Sequence, residues 1–332
     1  AWLSDAYPEA SVTGMVFLGA FTTKTAVYVL ATAFAGWDIL LIAGPLMALY
    51  GAVYALMEND IRRLLAYHII SQVGFMVTAV GVGTALALEA VADQAFTHVL
   101  WQAVMVMAMG AVLYATGTSK LTELGGLAKP LRGLLVLYML AAVSISLFPL
   151  LAGLGAEELY TEHAAGVDRR WATLLLYVAS IGTTLAVAVR LPYYVFFGEA
   201  RSPVARTLPW GMYAALGAGA ALSVIVGLVP SATFEALKLH LDPHAYTPTN
   251  VVFGLEMLAF SIVGAWLLLP RLAPRAITLM DVDRLYRKAG GPVRMLIQQP
   301  LEWPFSTAQR AVGWITKTAA RLAAAPDARW AS

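Results

Sequence analysis

Cysteine is absent from the sequence, and charged residues are scarce. Because none of the 332 residues supplies a thiolate, disulfides, iron–sulfur clusters and cysteine-ligated metal sites are excluded. Charged residues make up 13% of the chain, about half the share found in a soluble domain. We expect no cofactor, no metal and no nucleic-acid partner, since the net charge is only +2 and no dinucleotide-binding motif occurs. A redox or quinone-handling enzyme is the least favoured class, and we expect no catalytic chemistry of the chain's own.

Hydrophobic residues dominate what is present. They form 60% of the chain, and the mean hydropathy is +0.71. Windows of about 20 apolar residues, the length that spans a bilayer, recur along the sequence. We predict an all-α integral membrane protein with about eight transmembrane helices, joined by short loops and surrounded by a lipid bilayer. The predicted spans are residues 12–34, 39–57, 64–88, 95–115, 134–163, 171–198, 209–229 and 251–269.

The fifth predicted span is broken near its middle. Pro149 removes one helical hydrogen bond and clashes with the preceding turn, and Gly153 follows it. A helix broken at membrane depth is tolerated only where protein or a wet cavity satisfies the freed backbone groups. Glu157 and Glu158 follow the break, which is typical of an ion path. Solvated glutamates at an ordinary helix end explain the same pattern.

Lys24 lies near the centre of the first predicted span. A charged lysine at that depth costs about 2.5–3.5 kcal/mol on insertion scales, so it is expected to face the protein interior or water. Two roles fit this position. The lysine is either a group that takes up and releases protons or a permanently paired structural residue.

Two pairs of polar residues stand at helical spacing on the third and fourth predicted spans. His68 and Gln72, and likewise His98 and Gln102, lie four residues apart and share one helix face. Histidine can relay protons near neutral pH, whereas glutamine can only hold water or orient a neighbour. These faces predict a hydrated seam, although a lone buried histidine is often a hydrogen-bonded core residue. Arg190 is either the counter-ion of a glutamate or a side chain that extends towards the cytoplasmic end of its helix.

Lysine and arginine are distributed unevenly between the loops on the two sides. Cytoplasmic loops carry the excess, which places the N-terminal side of the first span in the cytoplasm. That side carries Arg62, Arg63, Lys120, Lys129, Arg132, Arg201 and Arg206, against Arg169, Arg170 and Lys238 on the other. We expect a multi-pass protein of the cell inner (plasma) membrane, with a transmembrane domain at 1–270 and a cytoplasmic or interfacial tail at 271–332. Apolar residues at helical spacing in 303–322 predict an amphipathic helix that lies in the membrane interface or docks on a neighbouring subunit.

Seven segments of the chain carry a family resemblance. They are AWLSDAYPEAS (1–11), FTTKTAVYVL (21–30), ENDIRRLLAYHIISQVGFM (58–76), HVLWQAVMVMAMGAVLY (98–114), FPLLAGLGAEELY (148–160), RLPYYVFFGEAR (190–201) and DVDRLYRKAG (281–290). In this order they resemble the proton-conducting antiporter-like membrane subunits of respiratory complex I and of Mrp-type Na+/H+ antiporters. The last two segments are similar to the D component of the Mrp type. The resemblance covers residues 1–288.

The resemblance implies a fold and partners. Members of this family have about fourteen spans, including two inverted five-helix repeats that each contain a broken helix. This chain is similar to the last helix of the first repeat, the whole second repeat and the C-terminal spans. Its first residues are typical of a loop that follows another segment, not of a signal peptide. We therefore expect a preceding segment or a partner chain to supply the N-terminal half.

The resemblance also implies site residues. In the family a central lysine in the FTTKTAVYVL segment links two half-channels, and Lys24 matches it. A histidine followed four residues later by lysine occupies the HVLWQ segment, but here His98 is followed by Gln102. The broken helix carries lysine, or in some members glutamate, where Glu157 stands, which assigns the interior position to Glu157 rather than Glu158. Water has to bridge the gap at Gln102, and Glu157 reverses the charge of the site that usually holds lysine.

The function that these expectations support is proton translocation. The chain is predicted to form a half-channel of a multi-subunit cation/proton antiporter or of a complex I-like respiratory complex, and so to serve a redox-driven ion translocase in the second case. Other integral membrane subunits are the expected partners. The proposed proton path uses Lys24, His98, Gln102 and Glu157, with His68, Gln72, Arg190 and Glu158 as auxiliary residues. The alternative is a non-conducting structural subunit that keeps the fold and the subunit contacts.

Overall fold

A computed structural model describes residues 2–145, 170–240, 248–276 and 307–321. These residues form helices and one isolated antiparallel bridge, between Asp60 and Lys120. The described residues up to 276 belong to one compact unit, and 307–321 belong to another. The helices of the first unit are α1 (Trp2–Glu9), α2 (Val12–Ala33), α3 (Asp38–Met57), α4 (Ile61–Val82), α5 (Ala85–Thr116), α6 (Arg132–Ser144), α7 (Arg170–Phe197), α8 (Trp210–Leu228), α9 (Pro230–Leu237) and α10 (Pro248–Leu268).

Seven of the described helices are long and apolar enough to cross a membrane: α2, α3, α4, α5, α7, α8 and α10. The prediction of an all-α integral membrane protein is confirmed. The two termini of α4 define two ends of the bundle. We call the end at which α4 begins the Asp60 end and the end at which it stops the Gly83 end. The helix α6 is shorter, and the predicted break at Pro149 and Gly153 lies outside the described residues.

The helix α4 lies at the centre of the bundle. Of its most apolar stretch, 94% is buried inside the chain. Glycines let it approach α3 closely: a Cβ built on Gly51 would lie 2.4 Å from the backbone nitrogen of Ser71, and one on Gly74 would lie 2.4 Å from that of Ala48. The hydroxyl of Ser71 donates to the carbonyl of Ala48 at 2.7 Å across the same contact. Close packing of small residues is the usual way in which membrane helices associate, since burial from lipid supplies little driving force.

The boundary between the third and fourth spans differs from the prediction. The sequence windows end at residue 88 and resume at 95, whereas α4 ends at Val82 and α5 begins at Ala85. Gly83 takes a left-handed conformation with φ 72°, and the Thr84 hydroxyl accepts a hydrogen bond from the backbone nitrogen of Ala87 at 3.2 Å. Hydropathy continues across this turn, so only the glycine C-cap and the threonine N-cap mark it.

Two of the spans contain π-helical turns. In α2 the turn is Leu18–Thr22, which ends two residues before Lys24, and in α7 there are turns at Leu185–Arg190 and Tyr193–Phe197. The hydroxyl of Tyr138 on α6 donates to the carbonyl of Val187 inside the first turn of α7 at 2.6 Å. Single π-helical turns widen a helix locally and are frequent at functional sites.

The second unit is described only at residues 307–321, which are helical. This helix lies within the predicted amphipathic segment 303–322. Its apolar residues Val312, Trp314 and Ile315 are exposed. A position in the membrane interface and docking on another subunit both stay predictions for this helix.

Candidate functional site

A lysine and a histidine from different spans meet inside the bundle. The ammonium nitrogen of Lys24 on α2 lies 2.6 Å from Nδ1 of His98 on α5. His98 is fully buried, and Lys24 is partly buried. When Lys24 carries its proton it donates to Nδ1, so the neutral imidazole carries its own proton on Nε2. The two ring nitrogens of His98 then face different partners, which is the arrangement that a proton relay needs.

The π-helical turn of α2 holds this lysine in place. Lys24 also donates to the carbonyl of Gly19, the second residue of the turn, at 3.0 Å. The hydroxyl of Tyr7 on α1 donates to the carbonyl of Leu18, the first residue of the turn, at 2.8 Å. Burial raises the pKa of the Tyr7 hydroxyl, which keeps it a donor. Tyr7 is therefore a positioning residue that pattern analysis missed, although it stands in the AWLSDAYPEAS segment.

His98 lies among aromatic rings. The ring of Trp101 packs edge-on against it with 4.4 Å between centroids, and the ring of His68 on α4 lies 6.5 Å away in a stacked orientation. His68 and Trp101 are 5.6 Å apart. All three side chains are buried. The two histidine-bearing faces therefore meet, and the ring of Trp101 lies near both imidazoles.

Glutamines extend the polar contact between α4 and α5. The side-chain nitrogen of Gln94 donates to the side-chain oxygen of Gln72 at 3.0 Å. Gln94 precedes His98 by four residues, just as Gln102 follows it by four, and all three are buried. Sequence analysis found Gln72 and Gln102 but missed Gln94, although the same i, i+4 spacing contains it. We call Lys24, His68, Gln72, Gln94, His98 and Gln102 the polar seam.

Many buried polar atoms of the polar seam have no hydrogen-bond partner among the described residues. They are Nδ1 and Nε2 of His68, Nε2 of His98, Nε2 of Gln72, Oε1 of Gln94, both amide atoms of Gln102 and, next to them, Nε1 of Trp101. Leaving one such atom unpaired costs about 1–3 kcal/mol, and buried polar groups normally bond to protein or water. A run of them at one place is the usual environment of ordered internal water.

Asp93 is a buried carboxylate that the sequence patterns did not single out. Its residue is 5% exposed, and it lies on α5 five residues from His98 towards the Gly83 end. Its backbone carbonyl accepts a hydrogen bond from the Thr97 hydroxyl at 3.0 Å. An ionisable residue inside a membrane span marks an ion or proton pathway by default. Hydropathy windows hid it, because the predicted fourth span began only at residue 95.

A second group of polar residues, most of them buried, lies at the Asp60 end, and its members are bonded to one another. We call Glu58, Asn59, Asp60, Arg62, Ser119 and Lys120 the loop cluster. Asp60 caps α4 by accepting from the backbone nitrogens of Arg62 and Arg63, and it also binds the Lys120 ammonium at 3.0 Å. Arg62 donates to the carbonyls of Pro8 and Ala10, both at 2.7 Å, and so ties α1 to α4.

Arg190 lies beside the loop cluster rather than in the polar seam. Its residue is 1% exposed, and its guanidinium donates to the carbonyl of Glu58 at 2.9 Å and to that of Leu272 at 2.9 Å. The arginine therefore binds backbone carbonyls of two loops at the Asp60 end. Glu157 and Glu158 lie outside the described residues. Among the residues that the structure describes, no group of three His, Asp or Glu side chains could hold a metal ion.

The helical bundle and the buried lysine–histidine contact place this chain in a class, the membrane proteins that carry titratable side chains inside their transmembrane helices. The family model described as "NADH:quinone oxidoreductase/Mrp antiporter, TM" matches residues 1–184, which is more than half of the chain. The chain belongs to this family. The resemblance inferred from the seven segments is confirmed.

Individual relatives agree with the family match. The L component of the F420H2 dehydrogenase of Methanosarcina mazei is 31% identical over 240 residues, which cover 64% of this chain and 36% of that protein. The D component of the Na+/H+ antiporter of Alkalihalophilus pseudofirmus is 29% identical over 209 residues, covering 60% of this chain and 42% of that protein. The chain thus spans less than half the length of these two relatives.

Solved membrane complexes contain chains of the same fold. A chain of the Mrp complex from Dietzia sp. matches with a TM-score of 0.64 and 21% identity, over 75% of this chain and 57% of that one. A chain of respiratory complex I from Thermus thermophilus matches with a TM-score of 0.59 and 25% identity, over 70% of this chain and 53% of that one.

Proposed function

We propose that this chain is a proton-translocating membrane subunit that contributes a half-channel to a larger complex. The observation that carries the proposal is the 2.6 Å contact between the Lys24 ammonium and Nδ1 of His98, which joins α2 to α5 inside the buried polar seam. A titratable lysine costs too much at this depth to be retained for packing alone.

The contact supports a simple proton transfer. A proton on Lys24 moves along the hydrogen bond as the Nζ–H bond breaks and an Nδ1–H bond forms on His98. The imidazolium then releases its Nε2 proton to water, which leaves the ring proton on Nδ1. The relay is reset when this proton is exchanged back to Nε2, through water or by rotation of the ring, and Lys24 takes up another proton. Histidine suits this step because both ring nitrogens donate in the charged form.

Water completes the path beyond His98. The amide of Gln102, which has no partner among the described residues, lies one helical turn from His98, where the family usually has lysine. It can orient water but cannot carry a proton. The resemblance assigns the next titratable group to Glu157. His68 and Gln72 line the polar seam as auxiliary residues, while Arg190 and Glu158 are auxiliary by sequence alone.

The setting of the chain is part of the proposal. The complex is either a cation/proton antiporter or a complex I-like respiratory enzyme, and in the second case redox chemistry in another subunit drives this one. Other integral membrane subunits pack against the exposed apolar faces of α2 and α8, and a further chain or segment supplies the N-terminal half. The protein resides in the plasma membrane, with its transmembrane domain at 1–270 and its tail from 271 in the cytoplasm.

Proton flux into vesicles that hold the assembled complex and a pH-sensitive dye tests the proposal. Lys24→Met should reduce driven proton flux to background while the complex still assembles, because the relay loses the group that donates to His98. Lys120→Met makes the same change in the loop cluster, where the lysine is 49% exposed, and should keep the flux. Wild-type flux in an assembled Lys24→Met complex would contradict the proposal.

A neighbouring pair of variants tests the assignment on the broken helix. Adjacent helical residues point about 100° apart, so only one of Glu157 and Glu158 can face the same path. Glu157→Gln should abolish proton flux in the same assay, and Glu158→Gln should leave most of it. The reverse result would move the path to Glu158.

A structural role without conduction is the second candidate. It is favoured by the two acceptors that already satisfy the Lys24 ammonium, the carbonyl of Gly19 and Nδ1 of His98, and by the non-titratable Gln102. In that case Lys24→Met would impair assembly, and the complexes that do assemble would keep the wild-type flux. The conducting role and the structural role therefore predict opposite proton fluxes for assembled Lys24→Met complexes.

A further inference from the structure

A basic pocket opens at the Asp60 end, away from the polar seam. A cavity of about 90 Å³ lies between the end of α3, the π-helical turn of α7 and the segment that follows α10. Arg190, Arg271 and Arg275 line it, together with apolar walls from Leu56, Met57 and Leu272. No acidic side chain lines this cavity in the part of the chain that the structure describes. We call it the basic pocket.

The buried arginine in this pocket has donors to spare. A guanidinium carries five N–H groups, and Arg190 uses one on Nε for the carbonyl of Leu272 and one on Nη1 for that of Glu58. The other three have no acceptor among the described residues. The carboxylate of Glu58 is close enough to act electrostatically on Arg190. Its own contacts go to other groups, since Oε1 accepts from the backbone nitrogens of Asn59 and Asp60 at 2.8 and 3.1 Å and Oε2 lies 3.4 Å from Nε of Arg63. Unused guanidinium donors that line a cavity can bind an anionic or strongly accepting partner.

Two further arginines reach the mouth of the pocket. Arg271 and Arg275 are exposed, and Arg271 uses one donor for the carbonyl of Leu267 at 3.0 Å. Three arginines around one small cavity suit a phosphate group, whose oxygens accept the paired N–H bonds of a guanidinium. The cavity has the volume of about three water molecules, which is enough for a phosphate group.

The apolar walls indicate what kind of phosphate binds. Leu56 and Met57 are the last residues of a helix long and apolar enough to span a membrane, and Met57 is 48% exposed on the outside of the bundle. A ligand with a phosphate head and an acyl chain matches a basic pocket bordered by such a surface. Basic pockets between membrane helices are known to take anionic headgroups at the cytoplasmic leaflet. We propose that the basic pocket binds the phosphate of an anionic phospholipid and so holds the ends of α3, α7 and α10 together.

Lipid counting on the intact complex tests this inference. The purified complex that contains the chain is stripped of lipid in detergent, titrated with phosphatidylglycerol or phosphatidylcholine, and weighed by native mass spectrometry. Phosphatidylglycerol should bind at least ten times more tightly than phosphatidylcholine. The double variant Arg271→Gln, Arg275→Gln should weaken phosphatidylglycerol binding about 30-fold, since two basic groups near a membrane surface are lost.

A matched double variant provides the control. Arg201→Gln, Arg206→Gln removes two arginines at the same end of the bundle that contact Thr122 and Tyr114 instead of the pocket, and it should bind phosphatidylglycerol as the wild type does. Equal affinity for the two lipids, or an equal loss in both double variants, would overturn the inference. Displacement of phosphatidylglycerol by inorganic phosphate would show that the basic pocket binds a free anion, and it would overturn the proposal of a bound lipid. Proton flux is measured separately, so neither result depends on the polar seam.

Discussion

The polar seam and the loop cluster are both polar and largely buried, but their hydrogen bonding differs. In the loop cluster one carboxylate, that of Asp60, binds two backbone nitrogens, the Ser119 hydroxyl and the Lys120 ammonium. In the polar seam the amide of Gln102 and both ring nitrogens of His68 have no partner among the described residues. Polar groups whose hydrogen bonds are made by protein hold loops in place, whereas unpaired polar groups in a membrane interior are the usual environment of ordered water.

This difference separates stability from function. A change in the loop cluster removes bonds between protein groups, so it should lower stability and leave transport intact. A change in the polar seam removes a step of the path, so it should stop transport and leave stability intact or raised, because a lysine at membrane depth is itself unfavourable. Three substitutions test this separation.

His98→Ala should have the largest effect. The imidazole is the acceptor for Lys24, and water replaces it only in part, so we expect driven proton flux to fall about 100-fold, the low end for a positioned proton-transfer group. Flux into dye-loaded vesicles measures it. His240→Ala is the matched control, since His240 pairs with Glu89 at the Gly83 end and is exposed. Similar losses in both variants would show that the polar seam has no special role.

Gln102→Leu should have a smaller effect. The amide holds water without carrying a proton, and loss of one hydrogen bond of about 1 kcal/mol slows a barrier crossing about fivefold. Met109→Leu changes a fully buried side chain two turns further along α5 without removing a polar group, and it should keep the wild-type flux. Unchanged flux in the Gln102→Leu complex would remove glutamine-bound water from the path.

Asp60→Ala should have the smallest effect, and on stability alone. Loss of an N-cap costs about 0.5–2 kcal/mol, which should appear as a lower midpoint of thermal unfolding for the solubilised complex, with wild-type proton flux per assembled complex. Thr84→Ala removes the N-cap of α5 and is the matched variant at the Gly83 end. A loss of flux in assembled Asp60→Ala complexes would contradict the assignment of the loop cluster to structure.

The stability difference between wild type and Asp60→Ala should depend on pH. Burial alone would raise the pKa of Asp60, but the hydrogen bonds from Ser119, the Arg63 backbone and Lys120 together lower it below the ordinary value of 3.8. The charged carboxylate therefore stabilises the fold at pH values above 3.8, and this stabilisation is lost as the pH falls through the depressed pKa. The difference in midpoint between wild type and Asp60→Ala should be full at neutral pH and should shrink only in strong acid.

Sequence reasoning found the helices and the titratable residues more readily than their contacts. Lys24 was identifiable from its depth in an apolar window, and His98 from its spacing to Gln102. Gln94 and Asp93 were missed because the window for the fourth span began too late, at a turn that only caps mark. The use of Tyr7 and of the Gly19 carbonyl to hold Lys24 depends on a π-helical turn, which has no signature in hydropathy.

A map of the assembled complex at a resolution that shows ordered water tests the central claim most directly. If the polar seam is a wet proton path, ordered waters should lie within hydrogen-bonding distance of Gln102, of both ring nitrogens of His68 and of Nε2 of His98, in a chain that reaches the Lys24 contact. The loop cluster should show protein partners at the same groups as here. A dry polar seam, with those atoms bonded to side chains of neighbouring subunits while waters are visible elsewhere in the map, would contradict the account.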